Sequence, residues 1–298
     1  MLRPFGFISL ILFSGLLATG APGGPPEPEP KTCAIPLTGV LRIPVNTLGP
    51  QDSVESPNPA SNTLTISQGA PDEPPEGPDG FDVLDDGSLL ITDPLRGQIS
   101  SFDSTGKFRK VWKIGFAADS LTAIPSGMVL VREASTGRLY AFDREGNVRQ
   151  TESPALPERA EARVLLGKNR GSVMRPTIGD AGGGPLEVRF DKPGSTLLSL
   201  ESLATDARGD SYVALEATTS GAIYDEIDLN KYVRRYSPDG RLLGEIAGIP
   251  LDYYVNPVDE LRVHDGLLYQ LQTTKSEVRI NVWNMNQPCS APSAGKAN

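Results

Sequence analysis

The chain has 298 residues, 38% of them hydrophobic and 22% charged, with a formal net charge of -9. Such a length holds one large domain or two small ones, with enough apolar residues for a core. The acidic balance argues against electrostatic binding to nucleic acid or to an anionic lipid surface, since both need basic patches.

At the start of the chain, Arg3 precedes a mostly apolar run from Phe5 to Ala18, and Ala18-Thr19-Gly20-Ala21 follows. That is the layout of a secretory signal, and the run is short for a membrane span. Residues 1–20 are therefore expected to be a signal peptide cleaved after Gly20, with an uncleaved anchor as the alternative. The mature protein is expected to be secreted or periplasmic, without a membrane span. Residues 21–32 are rich in Pro and Glu, which favour an extended, solvated spacer. The two cysteines, Cys33 and Cys289, lie near opposite ends of the remainder. In an oxidising compartment they suggest one bridge tying the ends together, with two free thiols as the alternative. The chain-entropy model gives so long a loop roughly 5 kcal/mol. Two Cys and one His fall short of a four-ligand zinc site. A single domain over 33–289 and a flexible tail over 290–298 complete the expected organisation.

Internal repetition governs the middle of the chain. Gly87 and Gly127 are 40 residues apart, as are Gly106 and Gly146, and Phe102-Asp103 matches Phe142-Asp143. The first unit predicts strands over about 81–84, 88–93, 98–103 and 107–112, with a tight Asp85-Asp86-Gly87 turn. Looser copies follow. GKNRGSVMRP leads to PLEVRFDKPGSTLLSL, with Phe190-Asp191 and Gly194 in the third-turn columns. LATDARGDSYVALEA then leads to KYVRRYSPDGRLLGEI, where Gly209 and Gly240 imply an insertion near 217–230. The last copy, ELRVHDGLLYQLQTTKSEVRINVWN, ends without a fourth strand. Gly39–Val45 is the expected donor of that strand, and Asn62–Ile66 of another. Four strands per 40-residue repeat is the pattern of a β-propeller blade, so the fold class is all-β.

The first unit resembles an NHL repeat through Pro78, Val83, Asp85, Gly87, Asp93, Ile99, Phe102, Asp103, Gly106 and Lys107. The second unit fits well and the other three loosely. The resemblance implies a propeller, commonly six-bladed, with five blades as the alternative here. It also implies use as a binding platform for a protein or extracellular ligand, with no cofactor. Binding is then expected where the regular repeat is broken. Ile223, Tyr224 and Ile227 lie in the insertion, and Tyr253 and Tyr254 lie between two units.

Enzymatic readings are narrowed by the single histidine, His264. An amidating lyase on an NHL-like propeller needs several metal-bound histidines, and a Ser-His-Asp hydrolase would have to use His264, expected in a tight turn. Metal-dependent lactonases of the gluconolactonase type are propellers that need no histidine. That resemblance is the alternative function and would bring a Ca²⁺ ion held by axial oxygen ligands. Asp82, Asp206 and Asp259 are the metal candidates, with Glu201 and Glu260 near the same strand ends. The Gly179–Gly184 run lacks the Lys and the strand-to-helix context of a phosphate loop.

Overall fold

The computed structural model describes residues 35–49, 62–69, 72–124, 126–150, 165–166, 172–174, 186–188, 190, 192, 194–219 and 229–287. The segments read as signal, spacer and tail lie outside these residues, and so do Cys33 and Cys289. Among the described residues the chain is all-β. Its strands are β1 (Leu37–Leu48), β2 (Leu64–Ser67), β3 (Phe81–Val83), β4 (Leu89–Asp93), β5 (Gln98–Phe102), β6 (Phe108–Lys113) and β7 (Ala118–Ala123). They continue with β8 (Val129–Glu133), β9 (Leu139–Phe142), β10 (Val148–Gln150), β11 (Leu165–Leu166), β12 (Ser172–Met174) and β13 (Leu186–Val188). The last are β14 (Ser195–Thr205), β15 (Ser211–Thr219), β16 (Leu229–Tyr236), β17 (Leu242–Ala247), β18 (Leu261–His264), β19 (Leu267–Thr273) and β20 (Glu277–Asn284).

The strands form five sheets among the described residues. β3–β6, β7–β10, β11–β13 and β14–β17 are antiparallel meanders in which chain neighbours are sheet neighbours. The closing sheet runs β18-β19-β20-β1-β2. There the donor segment Gly39–Val45 lies within β1 and pairs antiparallel with β20, from Leu37↔Trp283 to Pro44↔Glu277. The second donor lies in β2, which adds parallel to β1 with Val45 opposite Leu64.

Sheet stacks on sheet. Leu186 and Val188 of the third sheet pack with Val213, Leu215 and Tyr236 of the fourth. Tyr212, Val233 and Ile246 of the fourth meet Leu261, Leu268 and Trp283 of the closing sheet. Ile43, Leu64, Leu271 and Ile280 of the closing sheet meet Phe81, Leu89 and Ile91 of the first. Leu90, Ile99 and Trp112 of the first meet Leu121, Val131 and Phe142 of the second. Burying one such side chain stabilises by about 1.5–3 kcal/mol. Covering both faces leaves β4 buried at every residue, which explains its unbroken Leu-Leu-Ile run. The first strands of four sheets lie side by side in the order β14, β18, β3, β7. This radial arrangement is that of a β-propeller.

Three expectations change. Ser195–Leu200, which the repeat assigns to the third unit, runs on to Thr205 as one strand, its bulges absorbing the excess length. The insertion is shorter than expected, because Thr218 pairs with Leu229 and Ala217 with Asn230, so its ends extend the β15–β16 ladder. His264 is not in the turn. It ends β18 opposite Leu267, and Asp265 (φ 49°) and Gly266 (φ 73°) make the two-residue turn. Positive φ at both central residues matches the twist of a tight hairpin.

Candidate functional site

β3, β7 and β18 begin at a common end of the ring, where Asp259 N–H donates to Asp79 O at 2.9 Å. Charged side chains that a hydrophobic core does not need gather here. Arg262 occupies in Leu261-Arg262-Val263 the place that Asp82 holds in Phe81-Asp82-Val83. One repeat column therefore sets opposite charges on adjacent inner strands, with Arg262 Nε 3.6 Å from Asp82 Oδ1. The same guanidinium donates to Asp259 Oδ2 at 2.7 Å and to Leu121 O at 3.1 Å. Ser120 Oγ donates to Asp259, and the backbone N–H groups of Val83 and Ala123 donate to Asp82 at 2.8 and 2.7 Å. Burial pushes the Asp82 carboxyl up, against the pull of Arg262 and these N–H groups. Asp79 lies beside Asp119 and Glu76, and burial followed by those two charges pushes it up to about 6.

A second cluster sits between the fourth and closing sheets. Glu216 on β15 and Lys231 on β16 are ladder partners, and Lys231 Nζ lies 2.7 Å from Glu216 Oε1. Lys231 also bonds Glu260, just before β18, and the Tyr253 hydroxyl donates to the other oxygen of Glu260. Ser199 Oγ donates to Glu216 at 3.0 Å. Burial opposes ionisation of Glu216, but the hydrogen bond and charge of Lys231 hold it below the usual carboxylate range. Glu260 takes the opposite share. Burial, then Glu216 and Glu201, push it up to about 7. One ammonium for several carboxylates is the like-charge arrangement that leaves one acid reluctant to ionise.

Buried amides hold this cluster in place. Asn281 Nδ2 donates to Gln270 at 3.0 Å and to Gln272 at 3.1 Å. Gln270 Nε2 in turn donates to Pro250 O at 2.6 Å and to the Tyr253 hydroxyl at 2.7 Å, while Gln272 Nε2 donates to Asp252 Oδ1 at 2.6 Å. The linker before β18 is thereby pinned, with the Tyr253 proton directed at Glu260. Leu229 and Val258 are exposed apolar residues on elements that carry the cluster.

The sequence candidates divide as follows. Tyr253 joins the cluster, whereas Tyr254 stacks under the Lys275 ammonium at 5.6 Å. Ile223, Tyr224 and Ile227 lie outside the described residues. Asp82 and Asp259 are brought together, but on a guanidinium. Asp206 is elsewhere, in the β14–β15 turn, accepting from the N–H groups of Arg208 at 2.9 Å and Asp210 at 3.0 Å. These carboxylates do not fit the Ca²⁺ centre that the alternative function implies, because the Arg262 guanidinium stands between Asp82 and Asp259 and Asp206 lies elsewhere. Among the described residues no group of three or more His, Cys, Asp or Glu is arranged for a metal. Sequence reading missed Lys231, Glu216, Arg262 and the amide trio. Arg262 was detectable as a charge in a strand column that also holds Asp82. The amides carried no signal, since alternation alone does not say which face of a doubly covered strand is polar.

No protein-family model and no curated protein matches the chain. Solved structures resemble it in part. A streptogramin B lyase is 14% identical, covering 70% of this chain and 93% of that one, with a TM-score of 0.33. A catalytically inactive virginiamycin B lyase from Staphylococcus aureus with quinupristin is 16% identical over 70% and 85%, with a TM-score of 0.32. A gluconolactonase from Xanthomonas campestris is 10% identical over 66% and 82%, with a TM-score of 0.32. At these identities and TM-scores the likenesses assign neither substrate nor reaction. Among the described residues no helix is long and apolar enough to cross a membrane.

Proposed function

We propose that the chain is an exported NHL-like propeller, six-bladed or five-bladed, that binds a protein or extracellular ligand without transforming it. Binding takes place at the end of the ring where the inner strands begin. The observation that carries this reading is the Glu216–Lys231–Glu260–Tyr253 cluster, held rigid by the amide trio between two sheets. Preorganised polar groups at the mouth of a ring are what a binding site requires. The carboxylates outnumber the ammonium, so the partner presents a cationic group beside an apolar one. The test uses a fluorescent peptide of alternating Lys and Leu, and an acidic counterpart. Glu216→Gln with Glu260→Gln should weaken binding of the basic peptide at least tenfold, one charge-assisted contact being worth about 1.5–3 kcal/mol. Equal binding of both peptides, or no loss in the variant, contradicts the reading.

A second reading is hydrolysis of a lactone-like ester. It is favoured by one observation, the Glu260 carboxyl set between the Lys231 ammonium and the Tyr253 hydroxyl, where burial and then Glu216 and Glu201 push it up to about 7. A group titrating close to the working pH suits general acid–base chemistry. Turnover of a lactone panel that Glu260→Gln abolishes would establish it, and absence of turnover with and without Ca²⁺ would exclude it.

A further inference from the structure

Asp93 ends β4 with its side chain wholly buried at the seam between the first sheet and β2. Its Oδ2 accepts from Thr65 Oγ1 on β2 at 3.1 Å and from Gln98 Nε2 on β5 at 3.2 Å, with Arg96 NH1 3.7 Å away. Arg96 also donates to Thr63 O at 3.1 Å, so the same corner holds the residues leading into β2. The other oxygen, Oδ1, is buried and unpartnered, and so is Ser100 Oγ. Ser100 pairs with Ile91 and Gln98 with Asp93, which places Ser100 and Asp93 diagonally on one sheet face.

A carboxylate buried with one oxygen unmatched is costly, and the neutral acid costs less. Arg96 is the charge that bears on Asp93, while Thr65, Gln98 and Ser100, facing it from β2 and β5, carry none. We propose that Asp93 is a proton-operated latch on this seam: protonated, it holds β2 against the first sheet, and ionised, it loosens β2. The sign follows from the titration. Burial, only partly offset by Arg96 and by the Thr65 and Gln98 hydrogen bonds, pushes Asp93 up to about 6. A carboxyl whose folded value is raised favours the closed state below the unfolded value and loses that contribution as pH rises through the folded one. With an open-state value near 4, the opening constant rises about tenfold from pH 5 to pH 8.

β2 is a four-residue edge strand whose Thr65 hydroxyl meets Asp93 across the seam, so its loosening is read in its amides. Hydrogen exchange at Thr65 and Ile66, corrected for intrinsic rates, should show about tenfold less protection at pH 8 than at pH 5. Asp93→Asn should make protection independent of pH. Equal protection at both pH values in the parent protein, or a pH dependence that persists in the variant, overturns the latch. Should the variant not fold, a ¹³C-carboxyl titration of the parent decides: a midpoint near 6 supports the latch, and one below about 4.5 refutes it.

Discussion

Arg262 joins the two inner-strand carboxylates across three sheets. It takes Asp82 from the first, Asp259 from its own and the Leu121 carbonyl from the second. Removing it would take from two buried acids the guanidinium that lies nearest them, and breaking such a pair costs about 3–5 kcal/mol. Arg262→Met should therefore lower unfolding free energy in urea by that amount, and Arg262→Lys by less. A loss under about 1 kcal/mol would show that water replaces the guanidinium. The acids of the outer turns behave differently. Asp103 accepts from the N–H groups of Thr105 and Lys107 at 3.0 Å each, and Asp143 repeats this with Glu145 at 3.0 Å and Asn147 at 2.8 Å. Both carboxyls are held low, Asp103 first by the Thr105 hydroxyl and then by the Lys107 N–H, and Asp143, at about 2, first by the Asn147 N–H. The Phe-Asp columns of the repeat are thus architectural. Gly146 explains the remaining fixed column. Its φ is 89°, and a Cβ there would stand 2.4 Å from Trp112 Cγ, so the turn of the second sheet closes against the outer strand of the first.

At the scale of elements, the first unit was the most legible part of the sequence. Its expected spans, 81–84, 88–93, 98–103 and 107–112, differ from β3–β6 by no more than one residue at any end. Alternation, a turn glycine and Asp-capped turns all agree there. The fourth sheet was less legible because β14 and the β15–β16 hairpin outgrow the repeat, and ladder extension looks like a loop insertion when only glycine spacing is read. Replacement of 220–228 alone is the appropriate test of the insertion, since Thr218 and Leu229 are paired. The long-range pairing of β1 with β20 was legible only as a missing strand. Cys33 and Cys289, the two cysteines of the chain, lie outside the described residues. The disulfide that their sequence positions suggest is directly testable: peptide mapping of unreduced protein should recover the linked pair. Two free thiols in protein from an oxidising compartment would contradict it.

For the molecule as a whole, stacking of doubly covered sheets leaves few places where charge can be buried. Besides the Arg234–Glu245 and Arg235–Asp210 pairs of the fourth sheet, three buried charged groups sit where sheets meet: Arg262 on the inner strands, Lys231 between the fourth and closing sheets, and Asp93 at the β2 seam. Each lies at or beside a boundary with the closing sheet, the one sheet built from both ends of the described chain. Fold class was readable because repeat period and strand pattern are local. The site was legible only at Tyr253 and Glu260, because Glu216 and Lys231 meet them only after sheets 40 residues apart in sequence pack. Everything proposed for the ring's charged end depends on that closure. Hydrogen exchange across β1 tests it most directly. Among Val40 to Ile43, the amides that face β20 should exchange as slowly as those of Ile280 and Asn281 opposite them. Exchange of the β1 amides at the rate of an unstructured chain, while β20 stays protected, would contradict it.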